Sequence, residues 1–255
     1  MCIIAIVWKF EELHPHRDSW KNPFKIYWDH LYIAIPLALQ FTIMGLGAVI
    51  VQAALNQFGP KCMAGAAAGG KIESIIWLPL GSLGLAISPY VAQNFGAKRF
   101  DRIEQGIKLC WRFSICFSIV ICVLVMIFAD PLLNIFLDKE TVSEEVLVAG
   151  KQFIFRVAPF FVMLSMIVVF RSSIQGMGHS IPTLGGGFLE IICRLVAAYY
   201  LTKIWGYIGI CYNTGLVCTV NGLFMYVVFH YLLKRHQRQQ AEEQKLQSVK
   251  TETAL

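Results

Sequence analysis

Charge is what this sequence has least of. Asp, Glu, Lys and Arg make up 15% of its 255 residues, where a soluble domain carries about 25%. Residues 30–60, 74–97, 113–129, 172–189 and 204–233 hold none at all. Runs of that kind exclude a disordered chain and a soluble enzyme. They argue against a β-barrel too, because barrel strands alternate apolar and polar residues. The sequence also lacks any CxxC or CxxH spacing among its eight Cys. Seven of them fall in apolar segments, where Cys acts as a small hydrophobe, and only Cys62 falls in an expected loop. We therefore expect no disulfide framework and no metal site. The apolar residues 1–8 have no basic segment ahead of them and are too short to span a bilayer. They read as the end of a preceding helix.

What is present is hydrophobic: 56% of the residues are apolar and the mean hydropathy is +0.59. A membrane helix needs about 20 apolar residues to cross a core of about 30 Å. Six spans are expected, near 31–53, 72–92, 109–129, 146–169, 182–201 and 206–232. The fold class that follows is an all-α, polytopic transmembrane helix bundle. Residues 1–30 are expected to hold the end of the earlier helix and a cytoplasmic linker whose aromatics (Trp20, Phe24, Tyr27, Trp28) suit the membrane interface. Residues 31–233 form the six-helix lobe, and 234–255 a charged tail that continues the last helix briefly and then frays.

The net charge is +6, but the basic residues lie mostly in loops and the tail, so no nucleic-acid partner is expected. The bilayer is the partner. Fifteen Lys and Arg fall on one side: four in 9–25, five in 98–112, Arg171, and five in the tail. Five fall on the other: Lys61, Lys71, Lys139, Lys151 and Lys203. Basic loops stay in the cytoplasm, so the expected location is the bacterial inner (plasma) membrane, multi-pass, with a cytoplasmic C-terminus.

Polar residues at membrane depth are the candidates for function. Gln40 follows Pro36 by four residues, and Pro36 frees an upstream carbonyl, so Gln40 could line a cavity. Gln52 and Asn56 are four apart and share a helix face. For these the competing reading is hydrogen bonding between helices, at about 1 kcal/mol or less each. Glu190 and Arg194 put opposite charges four residues apart near mid-membrane. Each alone costs about 2.5–3.5 kcal/mol there. They read either as a buried ion pair tying helices together or as a proton-linked or substrate-contacting pair. Glu73 is expected at the external interface, solvated or paired with Lys71 or Lys151, and Arg171 at a helix end holding carbonyls or lipid phosphate. Asn213 and Asn221 are expected to bond between helices, and His179 and His230 carry no ligand spacing. No catalytic residue stands out, and an enzyme is not expected.

Three sets of strings, in register, resemble the multidrug and toxic compound extrusion (MATE) transporter family. The first is Ile35-Pro36-Leu-Ala-Leu-Gln40 with Val51-Gln52-Ala-Ala-Leu-Asn56-Gln-Phe-Gly59. The second is Lys71-Ile72, Pro79-Leu-Gly-Ser-Leu-Gly84 and Val91-Ala-Gln93-Asn94-Phe-Gly96-Ala97. The third is Phe170-Arg171, Gln175-Gly176-Met-Gly178, Pro182, Glu190 and Arg194. Gln40 in the Pro-x-x-x-Gln position resembles the bacterial DinF-type branch. The resemblance implies twelve helices in two six-helix lobes around a central cavity, of which this chain resembles the C-terminal lobe. It implies efflux of small organic, mostly cationic, substrates by H⁺ or Na⁺ antiport, with no other cofactor, and an N-terminal six-helix lobe as partner, without which the chain is inactive. The family's cation-binding acids have no match here: Gln40 stands in one position and 157–170 contains no acid. Alternatives from other classes are a lipid-linked glycan flippase of the same superfamily, to whose cavity Arg194 and Arg156 could contribute, and a membrane fragment that transports nothing.

Overall fold

The computed structural model describes residues 23–137 and 143–253. It is helical almost throughout: α1 (Pro23–Leu55), α2 (Gly59–Gly96), α3 (Phe100–Ile127), α4 (Ala129–Phe136), α5 (Glu144–Val157), α6 (Phe161–Gly176), α7 (Ser180–Val196), α8 (Thr202–Trp205) and α9 (Tyr207–Thr253). Short 3-10 turns join α1 to α2 and α5 to α6, and a π-helical stretch joins α7 to α8.

Side chains in the bundle are arranged for lipid. Ile135, Ile127, Val49 and Val227 are 72%, 67%, 65% and 63% exposed. A water-soluble monomer does not expose a belt of that kind. Five apolar helical segments are long enough to span, and the first, His30–Gly96, is 67 residues long. At about 1.5 Å per residue that segment is three times a bilayer core. It crosses twice, because Gly59 (φ +81°) reverses the chain after the Asn56–Phe58 turn. Gln40 on α1 and Gly81 on α2 consequently lie beside the same cavity. Counting that segment twice, the described residues make six crossings, the number expected from the sequence.

The central helix is α6. It packs on α2, α3 and α9, while α1 is held mainly by α7. Phe170 sits at the hub, 1% exposed, with the rings of Trp111, Tyr226 and Phe229 5.2–5.5 Å away in edge or tilted geometry, apart from Tyr226–Trp111 contact at 6.1 Å. Trp111 is therefore core packing and not an interface anchor. A second cluster, including Leu80, Leu133, Val157 and Phe161, fills the space between α2, α4, α5 and α6.

Several boundaries differ from the sequence expectation. The expected linker runs to residue 30, yet α1 is already helical from Pro23; residues 1–22 lie outside the described residues, as do residues 138–142. The expected loop carrying Cys62 is helical, because Pro60 starts α2 at its first turn and the Ala/Gly run 64–70 packs closely on α5. The tail does not fray after 234 but stays helical to Thr253. It docks on the α2–α3 corner, where Lys98 pairs with Glu243 at 2.6 Å and the Lys98 carbonyl accepts from Gln240 at 3.2 Å. Lys98 itself takes φ +54°, closing α2 in the left-handed conformation where glycine is usual.

Candidate functional site

A groove of about 430 Å³ opens between α1, α2 and α6. Its polar lining is Gln40, Ser82, Arg171, Ser172 and Gln175, and its apolar lining includes Phe41, Trp77, Leu78 and Val168. Pro36 lies inside α1 one turn before Gln40, and Pro79 lies inside α2 beside Trp77 and Leu78. Gln40 is 3% exposed and accepts a hydrogen bond from Gln175 at 3.4 Å, joining α1 to α6. Arg171 differs from the expectation of a helix-end or lipid-phosphate contact. Its guanidinium turns inward, 3.8 Å from the Met44 sulfur, and lines the groove. Arg171 stands five residues before Gly176, the last residue of α6, roughly one and a half turns inside the helix.

Deeper in the bundle, Arg194 Nη2 and Nε both donate to Glu190 Oε1, at 2.9 and 3.2 Å. Both side chains are largely shielded, at 20% and 7% exposure. The expected i,i+4 pair on one face is therefore formed. Gly47 makes it possible: a Cβ there would fall 2.5 Å from Arg194 Cδ. Asn213 on α9 donates to the Arg194 carbonyl at 3.4 Å, as expected of a bond between helices. Asn221 is buried too, with its carbonyl oxygen unbonded.

Glu73 is a correction. Lys151 pairs with Asp130 instead, and Lys71 is exposed. Glu73 is half-buried, fifteen residues into α2, and Arg194 is the cation that acts on it electrostatically. Its helix face is that of Trp77 and Gly81, four and eight residues on, so it continues the groove's wall toward the ion pair. The contact is the Glu190–Arg194 pair on α7; Glu73 on α2 and Arg171 on α6 lie within electrostatic reach of Arg194 and Glu190 respectively. Gln52 and Asn56 do not join them. They lie at the far end of α1, exposed, bonded to each other at 3.1 Å. The sequence also passed over a contact on the opposite side. His179 and His236 bring their Nε2 atoms to 2.9 Å, stacked, with Phe95 edge-on to His236. Burial, then His236 and Arg235, hold His179 below the ordinary imidazole range. Their separation of 57 residues leaves no local signal.

Among the described residues no group of three or more His, Cys, Asp or Glu could hold a metal. The arrangement offers a groove with a partly polar lining, a shielded ion pair and prolines inside the two helices that wall the groove.

Residues 36–201 match the MatE family. The chain belongs to that family. Among curated relatives, it is 26% identical over 211 residues to the FAD transporter of Shewanella oneidensis, covering 82% of this chain and 45% of that protein. It is 21% identical to a probable multidrug resistance protein NorM of Thermotoga maritima, covering 90% of this chain and 47% of the relative. The MATE transporter VcmN of Vibrio cholerae in its bent form superimposes with a TM-score of 0.83 at 18% identity, over 92% of this chain and 53% of that one. An outward-facing MATE transporter of the MOP superfamily gives 0.81 at 13% identity, over 93% and 54%. The chain spans about half the length of the relatives it matches. The MatE match begins at Pro36 and ends at Leu201, so it contains the groove and the ion pair alike. This is a multi-pass membrane protein whose relatives are transporters.

Proposed function

We propose that this chain is the C-terminal lobe of a DinF-type MATE exporter. It works with an N-terminal six-helix lobe to expel small organic substrates by H⁺ or Na⁺ antiport and is inactive alone. The observation that carries this is the groove, whose polar lining of Gln40, Ser82, Arg171, Ser172 and Gln175 lies between three apolar helices of a chain that spans about half the length of its relatives. Alternating access requires two bodies rocking about a shared site. A lone lobe would leave the half-buried Arg171 and Gln175 of the groove beside lipid, and polar groups in hydrocarbon are costly. Gln40, Arg171, Glu73, Glu190 and Arg194 are the residues we assign to cavity and coupling; Gln52 and Asn56 would contribute only near the outer end.

The test is drug accumulation in an efflux-deficient host. The chain alone should leave ethidium accumulation unchanged, and co-expression with a six-helix N-terminal lobe should restore energy-dependent export. Export by the purified chain alone in liposomes would refute the reading.

A second reading of the substrate rests on Arg171. Among the described residues it is the one charged side chain lining the groove itself, Glu73 lying farther along the α2 wall. A cationic cavity suits an organic anion with an aromatic face, and the relative named an FAD transporter makes flavin dinucleotides a reasonable probe. FAD in the medium of cells expressing the complete transporter should then rise, and Arg171→Gln should abolish that rise while sparing ethidium.

We also propose that the C-terminus is cytoplasmic. The ends carrying Lys98, Arg99, Arg102, Lys234 and Arg235 share one side of the bundle, and the Lys61–Glu145 and Lys151–Asp130 pairs share the other, with each acid there offsetting a lysine. Lys and Arg excess sets orientation. A C-terminal reporter should be active as a cytoplasmic fusion and silent as a periplasmic one; the reverse would overturn the topology.

A further inference from the structure

On the side of α2 away from the substrate groove, the α2–α3 hairpin carries a second crevice. Its volume is about 580 Å³, and its lining is apolar: Leu83, Ala86 and Tyr90 on α2, Gly106, Leu109 and Phe113 on α3. The α2 residues fall roughly opposite Gly81 and Leu85, which face the groove, given 100° per residue. Leu109 and Phe113 are 72% and 58% exposed, so the crevice opens to lipid. It exists because Gly106 has no side chain: a Cβ there would collide with the Tyr90 ring. The Tyr90 hydroxyl in turn donates to the Arg102 carbonyl at 2.8 Å, closing the crevice at its upper end.

Above it lies a basic pocket of about 770 Å³ that includes Lys98, Arg99 and Arg102. Lys98 is neutralised by Glu243. Arg99 and Arg102 are exposed, and neither side chain has an ion pair or hydrogen bond among the described residues. Asp101 is in the same pocket but lies about 100° round the helix from Arg102. Residues 99, 102, 106, 109 and 113 are spaced three, four, three and four apart. The last four therefore make one stripe down α3, with Arg99 at the cap just before the helix begins. With its cap, the stripe changes from two cations to an apolar slot within one turn, at the level where the helix enters the membrane. From Arg102 to Phe113 it runs about 16 Å, roughly half of a ~30 Å hydrocarbon core.

We propose that this stripe is a binding site for one anionic phospholipid, with its phosphate on Arg99 and Arg102 and one acyl chain in the slot beside Gly106. Charge complementarity selects an anionic headgroup, and the slot selects a lipid over a free anion, since only a lipid fills both parts. Headgroup and chain would tie α2 to α3 at the corner on which the α9 extension docks, so occupancy would also brace the tail.

The test uses the full chain purified in detergent, with bound lipid counted by native mass spectrometry. Phosphatidylglycerol should be retained at one per protein, with a preference of about tenfold or more over phosphatidylcholine of the same chains, given two cations at the headgroup. The double change Arg99→Gln with Arg102→Gln should remove the preference. Ala86→Phe, which fills the slot from the lipid-facing side, should lower phosphatidylglycerol retention by a similar factor without touching a charge. Unchanged apparent melting temperatures in lipid-free detergent would show that both variants are folded; a variant that melts early is replaced by Leu109→Ser for the slot or Arg102→Gln alone for the headgroup. Equal retention of the two lipids by the unaltered chain would overturn the proposal. So would displacement of phosphatidylglycerol by excess inorganic phosphate, or full retention by the slot variants.

Discussion

Arg194→Leu should destabilise the bundle by about 3–5 kcal/mol, the usual cost of removing one partner from a buried pair. Glu190→Gln should cost less, and the reason is Glu73. With Arg194 gone, Glu190 keeps Arg171 within electrostatic reach, while Glu73 loses the cation that acts on it. With Glu190 neutralised, Arg194 still has Glu73 within electrostatic reach. The double change Glu190→Gln with Arg194→Leu should recover part of the loss but not all of it, because Glu73 then stays unmatched. Adding Glu73→Gln should recover most of the remainder. The measurement is apparent melting temperature in detergent at one scan rate, since membrane proteins rarely unfold reversibly. Single changes that each move stability by less than about 1 kcal/mol would mean that the pair is hydrated and not buried. Equal losses for the two single changes would mean that Glu73 does not act on Arg194. If Glu190→Gln leaves stability intact and abolishes antiport in the complete transporter, the pair serves coupling and not structure.

The span count was legible because charge-free runs and the bilayer's thickness leave few choices. The Glu190–Arg194 pair was legible for the same kind of reason: i,i+4 geometry is local and its partner is on the same helix. Glu73 and Arg171 were not, because their partners are on other helices. Glu73 follows Lys71 closely, and two charges two positions apart read as an interface when the helix start is placed at 72. The true start at Gly59 moves Glu73 four turns inward. The Ala/Gly run 64–70 looked like a flat linker for the same reason, since small residues carry little hydrophobic signal. In a bilayer, where lipid tails are as apolar as Leu, small residues are what let helices approach. The resemblance to the family located the groove residues Gln40 and Gln175 but gave no warning that they bond to each other. The tail's helix escaped because it is polar throughout, and its order comes from Glu243, Gln240 and His236 reaching residues more than 50 positions away.

Gly65 provides the sharpest test of that packing. A Cβ at Gly65 would fall 2.7 Å from the Gly150 nitrogen, 2.7 Å from the Val146 carbonyl oxygen and 2.8 Å from Ala149 Cβ. Two of those three atoms are backbone of α5, which cannot rotate aside as a side chain would. Gly150 answers from the other helix, 3.3 Å from the Gly65 carbonyl if given a Cβ. Gly65→Ala must therefore move α2 off α5 along their whole contact, and overpacking of that kind costs about 1–3 kcal/mol or more. Gly65→Leu should prevent assembly, read as loss of the folded protein from the membrane fraction. Gly70, five residues on, has nothing within 4 Å of its Cβ position. Gly70→Ala should stabilise the helix by about 0.5–1 kcal/mol, the gain from restricting the unfolded backbone. The two substitutions are chemically identical and lie on one helix, so their opposite signs isolate the α2–α5 contact from helix propensity. If Gly65→Ala raises the melting temperature as Gly70→Ala does, the two helices are not in backbone contact and the close crossing described for them is wrong.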